Sequence, residues 1–428
     1  MRNNTSWLQH IPKHWEIMRL KDVCELNPNP TDENIMGTVS FVPMESLRYD
    51  CITPMSIDYN EARGKYTYFC NEDLLIAKVT PCFENGNVAI AKDLMQGVGF
   101  GTSEIFVLRN NEKIKNRFLF YVVRTNAFIG QACSTMYGVG GLKRISPLFM
   151  RTASIPLPPL SEQEKIARYL DTKVGEIDQK VSLIEKKIER YQLLKKAIIN
   201  KVITKGLHPK VPLKDSQISW LGQIPEHWEV KRIKDIISLV FMGTSPSYEY
   251  EVENENYVFG QRNNQLYKID FNGLKHATNE FFNSRSEYEY LTYGDVIINT
   301  LGGGSVGRVG YFDYLGDMRM ITDGHVMILR SNSYSTKFLY YYLHSKRREL
   351  ENLASGSTNQ SFFNISDIVV LYLPAPPLSE QQEIVSYLDQ KCADIDAIIA
   401  NCTAQIEKYK TLKRALINEV VTGQRTIE

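Results

Sequence analysis

Pro158-Pro159-Leu160-Ser161-Glu162-Gln163 heads a run in which apolar residues fall at Ile166, Leu170, Val174, Ile177, Val181, Ile184, Ile188, Tyr191, Leu194, Ile198 and Val202. The heading returns as Pro376-Pro377-Leu378-Ser379-Glu380-Gln381, followed by Ile384, Leu388, Cys392, Ile395, Ile399, Cys402, Ile406, Tyr409, Leu412, Leu416 and Val420. Steps of three and four recur in the same order, which is a coiled-coil seam sustained over about five heptads. Proline cannot continue a helix backwards, and Ser161 with Glu164, like Ser379 with Gln382, fits a capping box. A helix from Ser161 to Lys205 would run roughly 65 Å at ~1.5 Å per residue. Burying about ten apolar side chains at ~1.5–3 kcal/mol each would join two such helices, so the copies are expected to pair with each other.

A second stretch is also repeated. Trp7-Leu8-Gln9-His10-Ile11-Pro12-Lys13-His14-Trp15-Glu16 recurs as Trp220-Leu221-Gly222-Gln223-Ile224-Pro225-Glu226-His227-Trp228-Glu229, and these two copies hold all four tryptophans of the chain. Large rings at matched positions mean a packing anchor that travels with its domain. Between the framing stretches, residues 17–150 and 230–370 are rich in Tyr, Phe, Asn and Gly. Only faint echoes survive there: Asp73-Leu74-Leu75-Ile76 against Asp295-Val296-Ile297-Ile298, Phe106-Val107-Leu108-Arg109 against Met327-Ile328-Leu329-Arg330, and Phe118-Leu119-Phe120-Tyr121 against Phe338-Leu339-Tyr340-Tyr341. One fold with diverged loops suggests one task carried out on two targets.

The expected fold is therefore α+β, mixed α/β within each globular domain. Two such domains are separated by two long antiparallel coiled-coil helices in a pseudo-twofold, circular organisation. The boundaries fall at 1–155 for the first domain, 156–210 for the central helical region, 211–373 for the second domain and 374–428 for the C-terminal helical region. If the second helix packs antiparallel on the first, it carries the chain back to the first domain. The Trp segment then follows a helix end twice, once by covalent linkage and once in space. Two heads held at fixed separation suit double-stranded DNA, whose major-groove face recurs about every 34 Å.

Composition excludes several classes. The formal net charge is +1, so there is no overall basic excess, although a local basic face can hide in a balanced total. No apolar run reaches the ~20 residues that span a bilayer, and the N-terminus lacks an apolar signal region, so a cytoplasmic location without membrane contact is expected. Seven cysteines form no CxxC pair and seven histidines show no HExxH spacing, which argues against a disulfide framework or a zinc site. Gly302-Gly303-Gly304-Ser305-Val306-Gly307 fits GxGxxG, but its first-repeat counterpart, Pro81-Cys82-Phe83-Glu84-Asn85-Gly86, does not. A tight turn that approaches a ligand is the better reading. No Walker A sequence and no amino-methyltransferase motif occur, so no cofactor is expected in this chain.

The paired frames, Trp-Leu then Ile-Pro-x-His-Trp, and Pro-Pro-Leu-Ser-Glu-Gln leading a long helix, resemble the specificity (S) subunit of type I restriction–modification enzymes. The resemblance covers essentially the whole chain. It implies two target-recognition domains that each read half of a bipartite DNA sequence, with the helices fixing the gap. It also implies a non-catalytic subunit that assembles with two modification (M) subunits and two restriction (R) subunits. S-adenosylmethionine, ATP and Mg would be bound by those partners. Basic and amide side chains in loop context are the candidate DNA contacts: Lys78, Lys143 and Arg144 in the first domain, and Arg262, Asn263, Arg308, Asn359 and Gln360 in the second. Arg pairs with guanine and Asn or Gln with adenine, whereas other cations touch only phosphate. Glu162, Gln163, Glu380 and Gln381, at the domain–helix junctions, are candidate partner contacts, with plain N-terminal capping as the simpler alternative. Rival readings are a self-sufficient enzyme, a stand-alone bipartite DNA-binding protein and a coiled-coil adaptor with protein partners alone.

Overall fold

Leu74–Ala77 and Val296–Asn299 are four-residue runs buried on both faces, which is why they read as continuous apolar stretches without alternation. Each is the heart of a four-stranded antiparallel sheet. In the first the strand order is Cys24–Leu26, Ile105–Asn110, Leu74–Ala77, Val88–Ile90; in the second it is Leu239–Met242, Val326–Arg330, Val296–Asn299, Val309–Tyr311. A computed structural model describes residues 6–30, 35–138, 143–246, 255–265, 268–354 and 361–427.

The chain forms two compact units, Met1–Glu185 with Thr403–Glu428, and Lys186–Cys402. Each holds a globular α/β domain and half of each long helix. A second sheet in each unit contains one parallel pair, Thr38–Val42 beside Val98–Gly101 and Asn256–Phe259 beside Arg319–Thr322. The domain is closed by an antiparallel ribbon of an early strand and its last strand, Glu16–Arg19 on Ser154–Leu157 and Glu229–Arg232 on Tyr372–Ala375. That ribbon delivers the chain into the long helix in both copies.

The faint echoes mark buried ion pairs. Arg109 meets Asp73 through two bonds of 2.9 and 2.7 Å, and Asp73 also accepts from the Cys70 amide at 2.7 Å. Arg330 meets Asp295 through two bonds of 2.7 Å, and Asp295 accepts from the Thr292 amide at 2.8 Å. The third echo supplies the helices Asn116–Val122 and Thr336–Ser345, whose Tyr121 and Tyr341 hydroxyls donate at 2.6 Å to Asp171 and Asp389 of the long helices. Burial, reinforced by the carboxylate partner, pushes both phenols well above their ordinary range.

The long helices are Leu160–Lys205 and Leu378–Val421. They begin one residue before the serines of the expected capping box, and Glu164 pairs with Lys115 at 2.7 Å instead of folding back on Ser161. They run antiparallel inside each unit. Lys413 bonds Asp178 at 2.7 Å in the first unit, and Lys195 bonds Asp396 at 2.7 Å in the second. The two pairs are one interaction repeated, since 396 − 178 and 413 − 195 both equal 218. The seam departs from the expected list at one matched place. Leu194 and Leu412 are 47% and 50% exposed, while Ile199, Ile203, Ile417 and Val421 are buried. A straight helix drifts against a seven-residue repeat, so the apolar stripe moves to the next residue round.

One asymmetry carries a pH dependence. His344, at the end of its helix, stands where Arg124 stands in the first unit. Burial, with Lys195 and Arg347 nearby, lowers its pKa from 6.5 to about 4. The unfolded chain takes up the proton first, so this contribution is full above pH ~6.5 and is lost as pH falls toward 4. Acidification across that window is expected to cost the second unit up to about 3 kcal/mol. Urea midpoints at pH 7 and 4.5 should converge for His344→Gln relative to the unsubstituted chain; an equal loss in both would refute the assignment.

Candidate nucleic-acid interface

The two repeated frames meet, although about 150 residues separate them. Trp15 Nε1 donates to Glu162 at 2.9 Å and Trp228 Nε1 donates to Glu380 at 3.0 Å. His14 Nε2 and His227 Nε2 lie 2.9 and 2.8 Å from the same two carboxylates, each imidazole edge-on to its neighbouring indole. Gln163 and Gln381 complete the clamp. Gln163 donates to the Pro158 and Lys113 carbonyls at 2.9 and 3.0 Å and accepts from the Lys115 amide at 2.8 Å. Gln381 donates to the Pro376 carbonyl at 2.8 Å and accepts from the Ser335 amide at 2.9 Å. Lys115 and Ser335 are the N-caps of the domain helices, so each glutamine ties the start of a long helix to the start of a domain helix.

Each of the four residues expected to meet a partner is thus bonded within its own unit. Gln163 and Gln381 are 0% and 3% exposed, and both act inside the fold. Glu162 and Glu380 are held by tryptophan and histidine inside their own units. The clamp also receives the far helix end. Gly206 and Gly423 both adopt positive φ, 71° and 69°, just past the two helices. A Cβ on Gly206 would lie 3.3 Å from Trp228, and one on Gly423 would lie 2.3 Å from Pro12 and 3.2 Å from Trp15. One Trp segment thus receives the helix that precedes it in sequence, and the other receives the C-terminal helix in space, as the circular arrangement requires.

The loops above this frame differ. In the first unit Lys78, Lys143 and Arg144 come together. The Ile145 amide donates to the Lys78 carbonyl at 3.0 Å, and Thr80 and Lys143 bond through their backbones at 2.9 Å. Lys143 is exposed, whereas Arg144 is held by Glu104 at 2.6 Å and the Lys78 ammonium lies 5.3 Å from the Phe106 ring centre. In the second unit the glycine-rich run 302–307 joins two antiparallel strands of one sheet, so no helix follows it as a dinucleotide loop would need. Arg308 donates to the Gly304 carbonyl at 2.9 Å within that turn. Arg262 is exposed on the neighbouring turn, where it donates to the Gly273 carbonyl. Asn263 is buried, its side-chain amide donating to the Asp270 and Asn272 carbonyls and its oxygen accepting from the Gly260 amide, so it shapes the loop. Asn359 and Gln360 lie outside the described residues. The matching segments 143–145 and 361–363 bridge to the strand-end loops, through Val79 with Arg144 and Leu301 with Phe362.

Sequence reasoning missed a network of buried amides beneath the second unit's loops. Asn264 donates to Asn299 at 3.0 Å, Asn299 donates to the Gln261 carbonyl at 3.1 Å, and Ser305 donates to the Gln261 side chain at 3.1 Å. Its signal was the run Asn263-Asn264 after a strand. Among the described residues, no group of three His, Cys, Asp or Glu side chains could hold a metal, and no helix is long and apolar enough to cross a membrane.

The sequence profile of the type I restriction modification DNA specificity domain matches the chain twice, at residues 12–190 and 225–408. The type I restriction enzyme EcoAI specificity subunit of Escherichia coli is 37% identical over 160 residues, a stretch spanning 36% of this chain and 27% of that protein. The MjaVIII specificity subunit of Methanocaldococcus jannaschii is 24% identical over 97% of this chain and 93% of its own length. The same fold is found in a chain solved in a study of complex assembly and conformational transition of the type I R-M system, with a TM-score of 0.75, 21% identity, and coverage of 97% of this chain and 99% of that one. The HsdS subunit from Thermoanaerobacter tengcongensis gives a TM-score of 0.53 at 22% identity, covering 97% of this chain and 98% of that one.

Proposed function

Because the chain belongs to the family of the type I restriction modification DNA specificity domain, as a DNA sequence-specificity subunit, we propose that each unit reads one half of a bipartite target. The paired helices set the number of base pairs between the halves. The carrying observation is that the Trp–His–Glu–Gln clamp recurs in both units while the loop side chains differ: the scaffold serves a shared task and the loops serve different sequences. Lys143 and Arg262, the exposed cations of the two loop clusters, suit phosphate or base contacts, and Arg144 and Arg308 hold the loops in shape.

In this reading the subunit performs no chemistry. Methyltransferase subunits that bind S-adenosylmethionine dock on it, two of them to match the two units, and two ATP- and Mg-dependent restriction subunits join for cleavage, all in the cytoplasm. Leu194 and Leu412, exposed at matched positions on the two long helices, suit a partner that binds twice. The decisive experiment exchanges residues 17–150 for the corresponding segment of a relative and reads adenine methylation across the genome in cells that also carry the methyltransferase subunit. One half of the methylated motif is expected to change completely while the other half and the spacer persist. Alteration of both halves would defeat the modular reading.

A further inference from the structure

A small turn is repeated with the same register in both units, but its exposed tip changes sign. In the first unit the strand Thr38–Val42 leads into the turn Met44–Ser46 and then a two-residue strand, Leu47–Arg48, paired with Cys51–Ile52. In the second, Asn256–Phe259 leads into Gln261–Asn263 and then Asn264–Gln265, paired with Lys268–Ile269. Partners correspond one to one: Leu47 with Ile52 and Arg48 with Cys51, then Asn264 with Ile269 and Gln265 with Lys268. Two backbone bonds coincide as well. Ser46 donates to the Pro43 carbonyl at 2.9 Å as Asn263 does to the Gly260 carbonyl at 2.9 Å, and Thr53 donates to the Ser46 carbonyl at 3.1 Å as Asp270 does to the Asn263 carbonyl at 2.8 Å. The offset is constant, since 262 − 45 and 269 − 52 both equal 217.

On this shared backbone the middle residue is Glu45 in one unit and Arg262 in the other, both exposed. Glu45 has no ion-pair partner among the described residues. Beneath the turns the support differs too. Leu47 and Ala77 lie in the apolar core of the first unit, while Asn264 and Asn299 at the same places bond to each other in the second. In the second unit the turn adjoins the glycine-rich loop through the bond of Ser305 to Gln261, so it belongs to the surface that carries Arg308.

We propose that the middle residue of this turn determines base specificity in both units, with Glu45 accepting a hydrogen bond from the N4 amino group of a cytosine in the first half-site. The inference rests on the reading of two half-sites given above. A carboxylate only accepts and a guanidinium only donates, so keeping the backbone while inverting the tip changes which base edge is satisfied at one geometric place. Arg262 matches the O6 and N7 acceptors of guanine, and Glu45 matches an amino donor. Cytosine is favoured over adenine because adenine sets the N7 acceptor beside its amino group, where it would repel a carboxylate. A carboxylate facing phosphates gains nothing from general electrostatic attraction, so its place on such a surface serves discrimination.

The test uses the full chain with its methyltransferase subunit and reads the methylated motif for the wild type, Glu45→Gln, Glu45→Ala and Arg262→Ala. Both Glu45 variants are expected to raise methylation, on the order of tenfold, at sites that differ from the motif at one cytosine of one half-site. Arg262→Ala should relax one guanine of the other half-site. Unchanged base preference in both Glu45 variants, at full or weakened overall methylation, overturns the proposal, as does relaxation at a base other than cytosine. A wild-type chain that directs no bipartite methylation would instead remove the specificity reading on which the proposal stands.

Discussion

Replacing Trp228 with alanine is expected to cost the second unit about 3–5 kcal/mol and lower its melting temperature by roughly 10 °C. The indole is 0% exposed, packs edge-on to Phe338 and touches the helix end at Gly206, so truncation opens a cavity where domain, helix start and helix end converge. Its Nε1 donor to Glu380 is lost as well, which leaves a half-buried carboxylate with His227 alone. Trp228→Phe separates the two effects. It keeps most of the ring volume and removes the donor, so it should cost about 1.5–3 kcal/mol, the worth of a hydrogen bond to a charged group. Trp220, 37% exposed in the same frame, is the control and should cost under about 1 kcal/mol on truncation. Calorimetry of the three variants decides the matter; equal losses for Trp220→Ala and Trp228→Ala would show that the clamp is not the anchor it resembles.

The frame was legible in the sequence because its parts are chemically distinctive: proline pairs that cannot continue a helix, tryptophans confined to two matched stretches, and apolar steps of three and four. What spacing could not supply was the partner of each part. Glu162 and Gln163 read as surface residues because an acid and an amide in a first helical turn are adequately explained by capping. Only the fold brings Trp15, His14 and Lys115 to them. The loop candidates were found by position, since glycine and polar content do mark loops, but position does not tell which side chains are already spent. Arg144 meets Glu104, 40 residues away, and Asn263 is consumed by a turn that closes through Asp270 and Asn272. A lone exposed acid such as Glu45 carries no signal in sequence, because its place emerges only from a hairpin register shared by both units. The exposure of Leu194 and Leu412 was hidden because a seam written in heptads does not record the phase drift of a real helix.

Asp295→Ala should be the other severe substitution, at about 3–5 kcal/mol, because it strands the Arg330 guanidinium inside the second unit. Asp295 is completely buried and holds Arg330 through two bonds of 2.7 Å; without it Arg330 keeps only the Tyr290 and Tyr288 carbonyls, at 3.0 and 3.4 Å. Removing both charges is a different matter. The double variant Asp295→Leu with Arg330→Met leaves no unpaired ion, and apolar side chains of similar volume can fill the space, so the ionic part of the loss should vanish. A residue of about 1–3 kcal/mol should remain, since the Thr292 amide that donates to Asp295 at 2.8 Å then has no acceptor. Urea titration of the two single variants and the double gives the coupling directly. The double variant should be more stable than either single one, and additive losses would mean that the pair is not an interacting unit. The pair also bears on recognition. It joins the strand Val326–Arg330 to the turn that opens Val296–Asn299, and the latter strand runs directly into the glycine-rich loop beside Arg262. Asp295→Ala should therefore degrade reading of the second half-site, while the first half-site, supported by Asp73 and Arg109, is still read.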